Sequence, residues 1–403
     1  MKFNRRLKLS YKNIINSSLF LYILSLYLLT YKDGLNNISN ALALILILTI
    51  WIEVIIIKKK LVFNKTLLFY FLFVIISTMS VLYAISPGLA LVRVKTIISL
   101  FILILSLANY IDNYKKMELL MKYFIYSGLI ASIYILSTSD FNNMGRLGSQ
   151  LGNVNSIGII LGISAAFIIY FLTFQKKYTY YLYFIIISST IFLTGSRMSF
   201  LFLIMNIVFY IYFIYGRGIK NKLKFIFFST CLFILFLYLI FNIPFFYNII
   251  GERIERLILW LSGESVSENS IYIRFKMIKE GWRMFKEKPI LGYGLNNYQV
   301  LYAEIKGGVA TYAHNNFIEL LVSIGIIGTG IFYLMQILIV IDLIKTSKKI
   351  RNEFLIYIFI ALTIAYIFSS IATVYYYRKQ FSLILIMASL VPKIIVKKAR
   401  NHS

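Results

Sequence analysis

His314-Asn315-Asn316-Phe317-Ile318-Glu319-Leu320-Leu321-Val322-Ser323-Ile324-Gly325-Ile326-Ile327-Gly328 opens an apolar run that extends to residue 344. A helix needs about 20 apolar residues to cross a hydrocarbon core. The run therefore predicts a membrane span with a polar head at one end. Eleven other stretches have the same character: 14–31, 38–57, 66–86, 89–111, 117–138, 151–174, 178–194, 197–215, 223–243, 354–373 and 380–396. Short polar or Gly/Asn-bearing turns join neighbours. The exception is a long polar insertion before residue 314.

The expected fold is an all-α polytopic membrane protein of about 12 transmembrane helices, with one large external helical loop between spans nine and ten. Residues 1–243 then hold the first nine spans, 244–313 the loop, and 314–403 the last three spans and a basic tail. Composition agrees. The chain is 60% hydrophobic, 17% aromatic and 14% charged, more apolar surface than a soluble domain hides. The first span follows a basic start (Lys2, Arg5, Arg6, Lys8, Lys12) without a small-residue cleavage site, which predicts an uncleaved span. The lone Cys231 falls in span nine and excludes a disulfide within the chain.

The net charge of +27 would point to nucleic acid in a soluble protein. Here its distribution sets topology, and no nucleic-acid partner is expected. With twelve spans both termini share one side. That side also holds Lys58 to Lys60, Lys115-Lys116, Lys176-Lys177, Arg217 to Lys224 and Lys345 to Arg351. Together they carry about 25 of the 42 basic residues, which places them in the cytoplasm. Anionic membrane lipids give these lysines a sufficient role. Residues 244–313 then face outward.

Basic residues that break this rule carry more information. They are Arg93, Lys95, Arg146, Arg197 and Arg378-Lys379, with Arg253, Arg256, Arg274 and Arg283 in the loop. An arginine near membrane depth either snorkels to headgroups or marks a ligand site. A set of outward guanidinium groups suits an anionic lipid substrate, most simply a lipid-linked pyrophosphate, by two-pronged contact with phosphate oxygens.

The loop has helical order. Ile271, Phe275, Ile278, Trp282 and Phe285 recur at helical spacing and predict the apolar face of an amphipathic helix, with Ser270 at its N-cap and Pro289 beyond its end. Arg274 lies in its first turn. A shorter amphipathic stretch runs from Arg253 to Leu261. Pro289-Ile290-Leu291-Gly292-Tyr293-Gly294 permits a tight turn; without a preceding strand it is not a dinucleotide motif. Tyr375, Tyr376 and Tyr377 read as interface anchors or sugar-stacking rings. The outer side shows no Asp-x-Asp and no His/Cys cluster, and Asp33 is a lone carboxylate. Chemistry without a metal or other cofactor is expected. The other histidine, His402, lies in the basic tail, so an imidazole base would be His314. Its plain alternative is a polar residue at the water end of a span.

Together these residues resemble the O-antigen polymerase/ligase superfamily of bacterial membrane glycosyltransferases. The most specific feature is His314-Asn315, nine residues, then Gly325-x-x-Gly328, followed by Thr329. Thr194-Gly195-Ser196-Arg197 resembles the family's Ser-Arg element. Arg274 through Trp282, Phe285, Pro289, Gly292 and Gly294 resembles its loop stretch. Gly152-Asn153-Val154-Asn155 with Gly158 resembles its Gly-Asn-Pro-Asn element, with Val154 in place of proline.

The resemblance implies a GT-C-like architecture in the bacterial cytoplasmic membrane, with the site on the periplasmic or extracellular side. Its substrates are sugar repeat units on undecaprenyl pyrophosphate, and a chain-length regulator and a flippase are possible partners. It implies His314 as general base, and Arg197 and Arg274 at the pyrophosphate. Arg93 joins them from position alone. Asn315 and Asn155 become acceptor-binding or orienting groups, and Gly325 and Gly328 become a packing motif that lets another span approach closely. A polymerase is the preferred activity. A ligase moving finished glycan to lipid A core is the alternative, and a non-enzymatic lipid-linked sugar flippase the third.

Overall fold

The computed structural model describes residues 2–400 apart from 33, 56–60, 140–145, most of 216–250, 263–269, 306–309 and 351–352, with side chains from residue 11. The described residues form helices and no strands. The chain begins with α1 (Lys2–Leu28), α2 (Asn36–Glu53), α3 (Lys65–Met79, extended by a 3-10 turn over Ser80–Tyr83) and α4 (Pro87–Tyr110). Next come α5 (Tyr114–Thr138), α6 (Val154–Gln175), α7 (Thr179–Leu193) and α8 (Arg197–Tyr215). The loop holds α9 (Glu252–Leu261), α10 (Ser270–Glu287) and α11 (Tyr298–Ile305). The chain ends with α12 (Asn316–Lys349), α13 (Phe354–Ser369) and α14 (Lys379–Arg400).

Among the described helices, eight are long and apolar enough to cross a membrane: α2, α3 with its extension, α4, α5, α6, α8, α12 and α14. The shorter α7 and α13 are also apolar. This is a polytopic helical membrane protein. Span 223–243 lies largely outside the described residues, as does Asp33.

Helix α6 is the centre of the bundle and packs against α5, α7, α8 and α13. Its contact with α8 is close because Gly158 faces Ser199 and Gly162 faces Phe202. Small residues let membrane helices approach where lipid supplies no hydrophobic drive. Asn153 caps α6 by accepting from Ser156 N at 3.0 Å. Val154 is the first helical residue, the position where proline is favoured only because no hydrogen bond is lost there. The turn therefore forms without proline.

Helix α12 departs most from expectation. Ile324 (φ −131°, ψ 16°) and Gly325 (φ 63°, ψ −168°) leave the helical region and divide it into arms 316–323 and 326–349. Phe317 and Tyr333 would stand about 24 Å apart on a straight helix. Their rings instead stack at 4.1 Å, and Asn316 Nδ2 donates to the Tyr333 hydroxyl at 2.8 Å. The two arms form a hairpin. The second arm, about 36 Å long by helical rise, suffices to cross the membrane. The first arm doubles back along it, so the start of the helix at Asn316 and Phe317 lies beside Tyr333.

The hairpin also corrects the role expected for Gly325 and Gly328. Against Gly325 lies the turn segment 289–294. Three hydrogen bonds join this segment to the hairpin: Ile326 N donates to Pro289 O (2.9 Å), Tyr293 N to Val322 O (2.8 Å) and Gly294 N to Ser323 O (2.9 Å). A Cβ at Gly325 would fall on the Ile290 carbonyl, and one at Gly292 would lie 2.5 Å from Val322 O. Gly328 makes room for the side chain of Ile324 inside the hairpin. The two glycine motifs, some 30 residues apart in sequence, are halves of one joint.

Helix α10 packs on the first arm of α12 through a face rotated from the expected one, with Ile278 and Phe285 of the expected face still partly buried against the contact. Met277, Gly281 and Met284 are buried, with Gly281 against Ile318. Phe275 (50% exposed) and Trp282 (46%) face outward. Contact with the arm demands a small residue at the crossing, and only the stripe through Gly281 offers one. Tyr375 and Tyr376 are buried in the core, so they are neither interface anchors nor sugar platforms.

Candidate active site

Each candidate residue is placed by a helix start. Gly195 (φ 57°) turns the chain between α7 and α8. Ser196 Oγ accepts from Ser199 N at 3.3 Å, leaving Arg197 as the first residue of α8. Arg274 is the fifth residue of α10. Asn315 caps α12 by accepting from Ile318 N at 3.1 Å, and His314 precedes it with φ 53°. A left-handed non-glycine residue is uncommon, and such strain gathers at functional sites.

These elements converge on a cavity of about 360 Å³. His314, Arg197, Arg274 and Asn155 all line it. Arg146, Arg256 and Arg378 line it as well, giving five guanidinium groups. The described lining contains no aspartate or glutamate. The N-terminal ends of α6, α8 and α12 also open onto the cavity, through Asn153, Ser196 and His314, and Arg378 immediately precedes α14. A helix N-terminus carries roughly half a positive charge and presents unpaired N–H groups. Guanidinium groups and helix ends together give the cavity a positive lining that suits an anion.

The sequence marks Arg146, Arg256 and Arg378 only as outward basic residues; convergence becomes visible in three dimensions. Arg146 links two walls, donating from Nε to Thr194 O (3.0 Å) and from Nη2 to Asn155 Oδ1 (2.7 Å). Asn155 is thereby oriented by an arginine. The Asn315 amide is engaged on both sides: besides its cap, Nδ2 donates to Ile371 O at 3.2 Å. It anchors the backbone beside His314. Asn316 joins the same turn, its Oδ1 accepting from Tyr375 N and Tyr376 N at 3.0 and 3.1 Å. That brings Arg378 to the cavity rim.

Arg93 is not brought to the cavity. Its guanidinium lies 3.6 Å over the Tyr377 ring and donates to Asn296 Oδ1 at 3.1 Å. Arg283 points away, 62% exposed beside Glu280.

The imidazole of His314 packs on Tyr312, ring centroids 4.1 Å apart. Burial, and secondly the charge of Arg274, lower its pKa to about 4. It is therefore neutral at physiological pH and able to accept a proton. Burial also raises the Tyr312 phenol, which stays protonated. Arg274 is itself lowered by burial but remains a cation, since guanidinium starts so high.

Comparison with curated proteins returns no match. Residues 182–333 match the family model described as O-antigen ligase. That segment holds Arg197, Arg256, Arg274, His314, Gly325 and Gly328, while Arg146, Asn155 and Arg378 lie outside it. The matched segment carries the histidine and glycine motifs, and it supports the resemblance of this integral membrane protein to the O-antigen polymerase/ligase superfamily.

Proposed function

We propose that the protein polymerises surface-polysaccharide repeat units, moving the growing glycan from undecaprenyl pyrophosphate to a hydroxyl of an incoming lipid-linked unit. The observation that carries this reading is the single cavity shared by His314 and five arginines. In the reaction, the bond from the anomeric carbon to the pyrophosphate oxygen breaks and a bond to the acceptor oxygen forms. The acceptor proton passes to the His314 imidazole. Negative charge grows on the departing pyrophosphate, where Arg197, Arg274 and the other guanidinium groups lower the barrier. The site belongs on the outer face of the cytoplasmic membrane, by the charge distribution of the chain.

A transporter would place its polar groups near the midplane within reach of both sides. Gathering at the starts of α6 and α8 disfavours that reading. Ligase activity is the second reading, because the matched family model is described as O-antigen ligase. The discriminating experiment supplies purified protein with lipid-linked repeat units and no other acceptor. The polymerase reading expects a ladder of lengthened glycans. Absence of elongation, with transfer appearing only when lipid A core is added, would replace it by the ligase.

Arg197 carries a separate expectation. Arg197→Lys keeps the charge but loses the planar fork that grips phosphate. Removing one such transition-state donor typically costs about 100- to 1000-fold. We expect a loss of that order in kcat/KM for the lipid-linked donor, measured with purified protein. Wild-type kinetics would take Arg197 out of the donor site.

A further inference from the structure

We propose that Glu319 is a positioning residue that holds His314 in its working place through the backbone amide of Ala313. The inference rests on the assignment of His314 as base and adds to it a residue that touches no substrate. Glu319 is 2% exposed, in the first turn of α12. A carboxylate that deep needs a partner. Its Oε2 accepts from Ala313 N at 2.8 Å, a bond that closes the chain back over the start of the helix, while Glu319 N donates to Asn315 O at 3.0 Å. His314 lies between these two attachments in a left-handed conformation. The Glu319 bond holds that backbone from its N-terminal side, at the residue next to His314.

Arg93 supplies the nearby opposite charge. It acts on Glu319 electrostatically, although no contact within ion-pair distance joins them. This gives the outward arginine on α4 a role away from the cavity. The helix N-terminus adds to the same effect, since a carboxylate in the first turn faces its positive end.

The working part of the side chain is its acceptor oxygen. Glu319→Gln keeps an oxygen at that place, whereas Glu319→Ala removes it. Displacing a catalytic group by about 1 Å costs about 100-fold. We expect Glu319→Ala to lower kcat by about that factor with the donor KM nearly unchanged, and Glu319→Gln to restore activity to within about tenfold of wild type. Two further readouts separate positioning from folding and from failure of the base assignment. Combined with His314→Ala, Glu319→Ala should cause no additional loss, as expected when one group acts through the other. Amide hydrogen exchange over residues 310–318 should be slow in wild type and Glu319→Gln and fast in Glu319→Ala, whatever chemistry His314 performs.

Exchange unchanged by Glu319→Ala, or equal losses in the Ala and Gln variants, would overturn the proposal. An active His314→Ala protein together with accelerated exchange in Glu319→Ala would overturn the base assignment and leave the clamp standing.

Discussion

Replacing His314 by alanine is expected to abolish polymer formation while the protein still accumulates in the membrane. A positioned general base contributes about 100- to 10,000-fold, and polymer growth compounds the loss over every added unit. The cavity lining holds no second imidazole and no carboxylate to take over. The pH dependence gives the same assignment an independent signature. His314 titrates at about 4 in the free protein, lowered by burial and by Arg274. Its neutral form is the active one, so activity is present above this pKa and lost as pH falls through it. Because kcat/KM reports the free enzyme, its acid limb should appear near pH 4, well below the reference ~6.5 of histidine. A bound pyrophosphate offsets the charge of Arg274, so the limb in kcat should lie at higher pH. Normal chain lengths from His314→Ala would remove the base. An acid limb in kcat/KM at or above pH 6.5 would show that the imidazole is not held in this cavity.

The second large effect is expected at Gly325, which touches no substrate. Its φ of 63° is unfavourable for any side chain, and a methyl group would collide with the Ile290 carbonyl and approach Leu291 N. Both obstacles are backbone and neither moves cheaply. Strained φ and overpacking together cost about 2–6 kcal/mol. Relief requires the 289–294 segment to leave the hairpin, with loss of its three hydrogen bonds. The first arm of α12 then loses its outer attachment, and His314 moves with it. Gly325→Ala should therefore lower the melting temperature of the detergent-solubilised protein and reduce activity by about 100-fold, by displacement of His314. Gly330→Ala is the matched control on the same helix, because nothing lies within 4 Å of its Cβ position. Equal melting temperatures and activities for the two variants would contradict the hairpin.

The candidate site was legible in part. Bilayer energetics marked a wide set of outward cations, and the family resemblance narrowed it to His314, Arg197 and Arg274. Arg93 shows the limit of the same rule: it satisfies the cost through Tyr377, Asn296 and the field of Glu319, away from the cavity. Helix α10 shows another limit. Its aromatic stripe and its methionine-glycine stripe both have helical period, and periodicity cannot say which meets protein and which meets lipid. In a membrane the usual rule that apolar residues turn inward loses its force, since lipid accepts Phe275 and Trp282 as readily as a core does.

From sequence alone came the helical, multi-span character of the chain and three residues, His314, Arg197 and Arg274, that the folded chain brings to one cavity. The first follows from the energy of single residues in lipid, which needs no partner to be evaluated; the three residues follow from their match to the family's motifs. Only the folded chain decided that α12 reverses at Gly325, that two glycine motifs interlock, and that Arg146, Arg256 and Arg378 join the same cavity. Those depend on which backbone carbonyl meets which amide across distant segments, and pairwise encounters of that kind leave no period or composition to read.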